Sequence, residues 1–140
     1  MDKQLKIGYT TGVFDLFHIG HLNILKRAKE NCDYLIVGVT TDEEVLRVKN
    51  KKVVIPFTER IEIVQSIKYV DSAVPESNTD KIEAWKKYKF DALFKGDDWK
   101  GSSQWIKYQQ ELSAFGVEIV FFPYTEGTSS TLLKSVLAKI

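Results

Sequence analysis

The sequence predicts a doubly wound α/β fold built on a five-stranded parallel sheet, with residues 1–140 forming a single domain. Stretches typical of strands alternate with stretches typical of helices along the chain, and this alternation favours a parallel sheet with helices on both faces. The apolar run Tyr34–Thr40 is typical of a strand that is buried on both sides. A half-apolar stretch ends at Gly12, and helical spacing begins at Leu22, as expected where a strand turns into a helix.

The five predicted strands are residues 5–11, 34–40, 69–74, 92–94 and 117–122. We expect Pro75 to end the third strand, because proline cannot donate a ladder hydrogen bond. We also expect Thr58 to cap the helix that precedes this strand. The order of elements predicts a Rossmann-like sheet whose ligand site lies at the carboxyl ends of the strands. Three of these ends carry candidate chemistry, in residues 12–21, 96–99 and 125–131.

The composition indicates a globular protein without nucleic-acid or membrane partners. Hydrophobic residues make up 44% of the chain, charged residues make up 28%, and the net charge of +1 gives no electrostatic case for binding nucleic acid. The single cysteine, Cys32, excludes an internal disulfide and a cysteine metal cluster, and it fits a reducing compartment. The sequence shows no signal-like run and no apolar stretch of membrane-spanning length. We therefore expect a cytoplasmic protein.

The stretch from Gly12 to His21 is the first candidate site. A strand that turns through glycine into a helix leaves unpaired backbone N–H groups at the helix start, where phosphate commonly binds. His18 and His21 lie three residues apart around Gly20, so both side chains can face a ligand that approaches the backbone at the glycine. Alternatively, both histidines are ordinary polar residues at a helix start. Their pairing directly after the strand end favours a site.

Residues 125–131 predict a second anion site, because hydroxyl side chains surround Gly127 in greater number than helix capping requires. Two helix N-termini could hold a triphosphate between them. In nucleotidyl transfer, negative charge builds on the transferring phosphoryl group, and imidazole N–H groups aimed at the α- and β-phosphates would stabilise that charge. A zinc site at His18 and His21 is a weaker alternative, since no third protein ligand lies at metal spacing.

The string from Gly12 to His21 resembles the signature of the nucleotidyltransferase superfamily that carries an H-x-G-H motif. Within it, the sequence is most similar to the cytidylyltransferases of the glycerol-3-phosphate, choline-phosphate and ethanolamine-phosphate type. Residues 96–99 and 125–131 resemble the two later motifs of the glycerol-3-phosphate enzymes, in the same order and at similar distances. The resemblance therefore covers nearly the whole chain.

This resemblance extends the set of candidate site residues. The candidate nucleotide-binding residues are Gly12, Val13, Phe14, Asp15, His18, Gly20, His21, Lys51, Asp97, Tyr124, Thr125, Glu126, Gly127, Thr128, Ser129, Ser130 and Thr131. The candidate catalytic residues are His18, His21 and Lys49, and the candidate acceptor-binding residues are Lys49, Arg60 and Lys81. The resemblance also implies a homodimer and a Mg²⁺ ion that travels with CTP on phosphate oxygens and water, without a protein metal cage.

The implied activity is transfer of a cytidylyl group from CTP to a phosphorylated small alcohol, glycerol 3-phosphate in the first place, giving a CDP-alcohol and pyrophosphate. Two positions depart from the family pattern. Val13 replaces a common threonine, and Tyr124 replaces an arginine, so a charged phosphate contact becomes a phenol. Two alternatives therefore stay open: an adenylyltransferase that acts on a sugar phosphate or similar acceptor, and a nucleotide-binding sensor without turnover.

Overall fold

The computed structural model describes residues 5–96, 101–123 and 130–139. The strands are β1 (Ile7–Gly12), β2 (Tyr34–Thr40), β3 (Ser72–Glu76), β4 (Ala92–Gly96) and β5 (Glu118–Phe122). The helices are α1 (Ile19–Glu30), α2 (Asp42–Lys49), α3 (Phe57–Gln65), α4 (Lys81–Tyr88), α5 (Ser103–Ser113) and α6 (Ser130–Ala138). None of these described helices combines the length and the apolar character that crossing a bilayer requires.

The five strands form one parallel sheet in the order β3-β2-β1-β4-β5, which confirms the predicted α/β fold. The central strand β1 pairs with β2 from Ile7 opposite Tyr34 to Gly12 opposite Val39, and on its other side it pairs with β4. The strand order reverses beside β1, and in sheets of this kind ligands bind in the crevice beyond the strand ends at that point. The topology therefore places the site around the end of β1.

Two hydrophobic cores lie against the sheet. One contains residues of α1, α3 and β2, among them Leu25, Val64 and Val37, and the other contains Tyr9, Ile36 and residues of α5. Successive residues of β2 belong to different cores, so this strand is buried on both faces. Burial on both faces explains why the sequence of β2 is almost continuously apolar, and it confirms the prediction made from that sequence.

Two details of the predicted elements are wrong. Pro75 does not end the third strand but pairs opposite Val39 within β3, which is an outer strand of the sheet and needs no proline N–H on its free side. Thr58 does not cap α3, which begins one residue earlier, at Phe57, and has no side-chain cap from the residue before it. Instead the carboxylate of Asp42 accepts the backbone N–H of Phe57, at 3.1 Å.

Close packing at Gly38 gives a test of the interior. A Cβ atom at this position would lie 2.7 Å from the hydroxyl oxygen of Tyr9 and 2.9 Å from a methyl carbon of Thr11. We expect Gly38→Ala to lower the free energy of unfolding by ~1–3 kcal/mol through overpacking. In a Tyr9→Phe background the cost should fall, because the nearest clashing atom is gone. Urea denaturation of the four proteins measures both values, and equal costs in the two backgrounds would contradict this packing.

Candidate active site

The turn between β1 and α1 has an unusual backbone. Phe14 and Leu16 have φ angles of 55° and 51°, in the left-handed region that costs non-glycine residues roughly 1–2 kcal/mol each. The ring of Phe14 is buried over Gly12, where a Cβ atom would lie 3.0 Å from two ring carbons. Glycine therefore lets Phe14 fold back over the strand end, and this packing holds the turn in its strained conformation.

His18 and His21 form a reciprocal cap at the start of α1. The Nδ1 atom of His18 accepts the backbone N–H of Gly20 at 3.0 Å, and the Nδ1 atom of His21 accepts the backbone N–H of His18 at 3.2 Å. Because Nδ1 is an acceptor in both rings, the proton of each neutral imidazole must lie on Nε2. The two rings stack with their centroids 3.9 Å apart. The structure thus brings the two histidines together as a pair of N–H donors.

Both imidazoles are neutral at pH 7 in the free protein. Burial, and to a smaller extent the neighbouring His18, lower the pKa of His21 to about 4, although the charge of Asp15 opposes the shift. Burial also lowers the pKa of His18. The rings of Phe14 and Phe17 lie with their centroids 5.3 Å from that of His21 and form part of its apolar surroundings. The site therefore presents donors that carry no charge before a ligand binds.

Asp15 joins this turn to two other segments of the chain. Its carboxylate is buried and accepts the backbone N–H groups of Val54 and Ile55, each at 2.8 Å, and it lies 3.2 Å from the ammonium of Lys134 in α6. Burial alone would raise the pKa of Asp15, but these hydrogen bonds and the lysine charge lower it below its usual value. Asp15, which the resemblance implies to be a buried or nucleotide-side carboxylate, is buried and bonded within the protein.

Arg60, which the resemblance assigns to the acceptor side of the site, is buried beside the turn after β1. Its side chain is 0% exposed, and the guanidinium donates to the carbonyl oxygens of Val13, Thr40 and Ile55 and to the carboxylate of Asp42, at 2.5–2.8 Å. An acceptor phosphate therefore finds no exposed surface of this residue in the structure. Arg60 instead fixes the backbone at the ends of β1 and β2.

Lys81, the other predicted acceptor contact besides Lys49, is also buried. Its ammonium lies 2.8 Å from a carboxylate oxygen of Glu76 and 2.9 Å from the hydroxyl of Thr11. The second carboxylate oxygen of Glu76 accepts the hydroxyl of Thr40, at 2.7 Å. This buried network, comprising Thr11, Thr40, Glu76 and Lys81, lies beneath the carboxyl ends of β1, β2 and β3.

Three lysines, Lys49, Lys51 and Lys134, are close enough for their charges to interact. Lys49 is the last residue of α2, and Lys51 follows it after Asn50, which has a φ angle of 51°. Partial burial lowers the pKa of Lys49, the charges of Lys51 and Lys134 lower it further, and the charge of Glu76 opposes the shift. Lys134 escaped the sequence analysis. The available signal was its place one helical turn after Ser130 in the sequence.

The remaining predicted residues lie wholly or partly outside the described chain. These are Asp97, Tyr124, Thr125, Glu126, Gly127, Thr128 and Ser129, whereas Ser130 and Thr131 are in the first turn of α6. Their flanking strands are described: Gly96 pairs opposite Phe122, and β4 lies directly beside β1. The carboxyl ends of β1, β4 and β5 are therefore neighbours, as the sequence predicted. Among the described residues, no group of three histidine, cysteine or acidic side chains could hold a metal ion.

These features together define an α/β nucleotide-binding enzyme. The central strand of the parallel sheet leads through a turn to the start of a helix, and two neutral imidazole donors lie at that helix start with lysines nearby. Residues 9–136 match the family model described as cytidylyltransferase-like, and the chain belongs to this family. It is thus a nucleotidyltransferase of the cytidylyltransferase type, as the resemblance had implied.

Similar proteins include two bacterial enzymes named glycerol-3-phosphate cytidylyltransferase. The chain is 39% identical to that of Bacillus subtilis (strain 168) over 130 residues, covering 92% of this chain and 95% of the relative. It is 36% identical to that of Staphylococcus aureus (strain NCTC 8325 / PS 47) over 129 residues, covering 91% and 92%. It is also 37% identical to the FAD synthase of Pyrococcus abyssi (strain GE5 / Orsay) over 114 residues, covering 81% and 77%.

Solved structures share the fold. A lipopolysaccharide core biosynthesis protein from Thermoplasma volcanium GSS1 matches with a TM-score of 0.74 and 25% identity, covering 89% of this chain and all of that one. A pantoate-beta-alanine ligase from Francisella tularensis matches with a TM-score of 0.67 and 17% identity, covering 96% of this chain and 67% of that one. At that identity the second likeness concerns the fold alone.

The low pKa of His21 predicts a pH dependence of stability. Between about pH 6.5 and pH 4 an unfolded histidine takes up a proton that folded His21 does not, so this residue destabilises the fold as the pH falls through that window. His21→Asn removes this titration and should lose less stability than the wild type over the same range. Urea denaturation at a series of pH values measures the difference, and parallel curves for the two proteins would contradict the assigned pKa.

Proposed function

We propose that this protein transfers a cytidylyl group from CTP to a phosphorylated small alcohol, with glycerol 3-phosphate as the first candidate, and releases pyrophosphate. The observation that carries the proposal is the pair of Nε2–H donors of His18 and His21 at the start of α1. The two relatives named glycerol-3-phosphate cytidylyltransferase, similar over more than nine-tenths of the chain, support the choice of nucleotide and acceptor.

The geometry of the histidine pair suits in-line nucleotidyl transfer. A phosphate oxygen of the acceptor attacks the α-phosphorus of CTP, the bond from this phosphorus to the bridging oxygen of the β-phosphate breaks, and pyrophosphate leaves with the electron pair. Negative charge grows on the phosphate oxygens during this step, and donors already in position stabilise it. His18 and His21 are such donors, and an adjacent polyanion would raise their pKa values. A further proton could bind only at Nδ1 and would break the cap hydrogen bond of that ring, so both rings donate from Nε2 in the neutral form.

The acceptor phosphate, in this proposal, binds Lys49, while Lys51 reaches the nucleotide. Desolvation lowers the pKa of Lys49 most, and repulsion from Lys51 and Lys134 adds to it, so an arriving dianion would relieve an existing electrostatic cost. Arg60 and Lys81 do not contact the substrate in this proposal. Both are buried and hydrogen-bonded at the ends of the strands, so they hold the backbone of the site in place.

The other parts of the site remain proposals from the resemblance. Residues 125–131 would hold phosphate oxygens beside the turn after β1, and Val13, Phe14 and Asp97 would adjoin the nucleotide. Mg²⁺ would arrive with CTP, bound mainly by phosphate oxygens and water, as is usual for this ion in phosphoryl-transfer sites. We further propose a cytoplasmic homodimer.

A second candidate function is adenylyl transfer from ATP. The observation that favours it is the relative named FAD synthase, 37% identical over 114 residues, because FAD contains an adenylyl group. Pyrophosphate release with CTP and ATP, each tested against a panel of alcohol phosphates and sugar phosphates, separates the two. Turnover only with ATP would reverse the assignment, and tight binding of CTP without turnover on any acceptor would favour a sensor.

The histidine donors predict a loss of catalysis. We expect His18→Ala and His21→Ala each to reduce kcat by on the order of 10²–10³, the loss found when one preorganised donor to a charged transition state is removed. Thermal unfolding of each variant should stay cooperative, which separates lost chemistry from lost structure. Near-normal turnover in either variant would assign that histidine a structural role as a helix cap.

The lysine run predicts a division between neighbours. Lys49→Ala should raise the KM for the acceptor by roughly tenfold or more, since a charge-assisted contact contributes about 1.5–3 kcal/mol. Lys52→Ala serves as the matched control, because Lys52 is exposed and has no assigned contact with substrate. Initial rates at varied acceptor and saturating CTP give both values. Equal, small effects at the two positions would contradict a substrate contact and would indicate that the lysines only belong to a solvated loop.

A further inference from the structure

Lys134 is a cation of α6 to which the proposed reaction assigns no contact. Its ammonium lies 3.2 Å from Oδ2 of Asp15, and the side chains of Lys134 and Asp15 are 32% and 4% exposed. The pair therefore joins α6, near the end of the chain, to the turn between β1 and α1. Because one partner is buried, water and salt screen this pair less than an ion pair between two exposed side chains.

Asp15 is a fixed point within that turn. Its Oδ2 atom also accepts the backbone N–H of Val54, and its Oδ1 atom accepts that of Ile55, each at 2.8 Å. Its two neighbours in the chain have positive φ angles, which persist only where the surrounding structure holds them. His18, the cap of α1, follows three residues later. An ammonium bound to Asp15 is thus placed relative to the histidines.

Apolar packing contributes little to the placement of α6 among the residues that the structure describes. Neither of the two hydrophobic cores contains a described side chain of this helix. Val136 and Leu137 are 50% and 53% exposed. A polar contact of α6 therefore contributes more to its position than it would in a helix packed against the core.

A second polar contact links α1 to the same region of the chain. The guanidinium of Arg27 donates to the carbonyl oxygen of Pro123 at 3.4 Å, directly after β5. Arg27 and Asp15 thus contact the chain on both sides of residues 124–129. The hydrogen bond of Arg27 is long and exposed, whereas the contact of Lys134 is shorter and partly buried, so we assign the positioning role to Lys134.

We propose that Lys134 is a positioning residue, whose ion pair with Asp15 holds the start of α6 beside the turn after β1 so that both can contact one triphosphate. The inference rests on the proposed function, which places phosphate oxygens at both helix starts. Lys134 follows Ser130, the first residue of α6, by about one helical turn, so fixing its side chain fixes the start of the helix. Lys134 touches no phosphate in this scheme and acts through Asp15.

Lys134→Met tests this role, with Lys139→Met as a matched control. Lys139 directly follows α6, is exposed and carries the same charge. We expect Lys134→Met to weaken the binding of CTP with Mg²⁺ by ~3- to 10-fold in isothermal titration calorimetry, because a misplaced helix start no longer completes the triphosphate site. The KM for the acceptor should change less, since Lys49 binds the acceptor phosphate in the proposed function. Lys139→Met should bind CTP as the wild type does.

Two further variants separate the ion pair from the charge of Lys134 alone. The exchange Lys134→Ser/Ser135→Lys keeps the net charge and moves the lysine ~100° around α6, away from Asp15, so it should weaken CTP binding as much as Lys134→Met does. In an Asp15→Asn background, Lys134→Met should cause no further loss. Wild-type affinity in the exchange variant, or a full further loss in the Asp15→Asn background, would overturn the proposal. If Asp15→Asn does not fold, the exchange variant decides alone, since it leaves the buried carboxylate intact.

Inorganic triphosphate separates this inference from the proposed function, because it presents the phosphate chain without a base. The loss of affinity in Lys134→Met should appear with this probe as well. A wild type that binds inorganic triphosphate but uses CTP with no acceptor would refute the proposed function, and the comparison of variants would still decide the role of Lys134. Unchanged affinity for the probe in Lys134→Met, or no binding of the probe to the wild type, would overturn the inference even if the wild type proves active.

Discussion

The guanidinium of Arg60 is the interaction on which the geometry of the site depends. It joins the carbonyl groups that follow β1 and end β2 to the start of α2 and to the segment before α3, and its own side chain is fully buried. Removing such a group would leave several buried acceptors unpaired, which is far more costly than losing an exposed ion pair. The strained turn after β1 persists because this bonding, together with Asp15, fixes its backbone from both sides.

Because the backbone is fixed, both histidines can serve as neutral hydrogen-bond donors through Nε2. Their Nδ1 atoms are occupied by backbone N–H groups, and burial keeps the rings neutral. A neutral donor gains strength when charge develops opposite it and costs little to desolvate beforehand, which suits a site that must favour the transition state over the free enzyme. The lysines supply the permanent charge.

Sequence patterns predicted the parallel sheet and the convergence of three strand ends, because burial on both faces and strand–helix alternation leave periodic signals. The facing arrangement of His18 and His21 followed from their spacing around a glycine. The burial of Arg60 and Lys81 could not be predicted, since a charged residue is expected to be exposed unless its partners are known. Val13 and Thr11, which they contact, are distant in sequence. Most of the partners of Arg60 are backbone carbonyls, which no residue pattern reveals.

The most direct test of the central claim is the protonation of the two imidazoles, which are the only histidines in the chain. Nitrogen-15 NMR at neutral pH distinguishes the two ring nitrogens of each. We predict that His18 and His21 are both neutral, with the proton on Nε2 and an unprotonated Nδ1, and that CTP with Mg²⁺ shifts the Nε2–H signals of both. A ring protonated at Nδ1 in the free protein, or signals unchanged by saturating CTP, would contradict the donor arrangement.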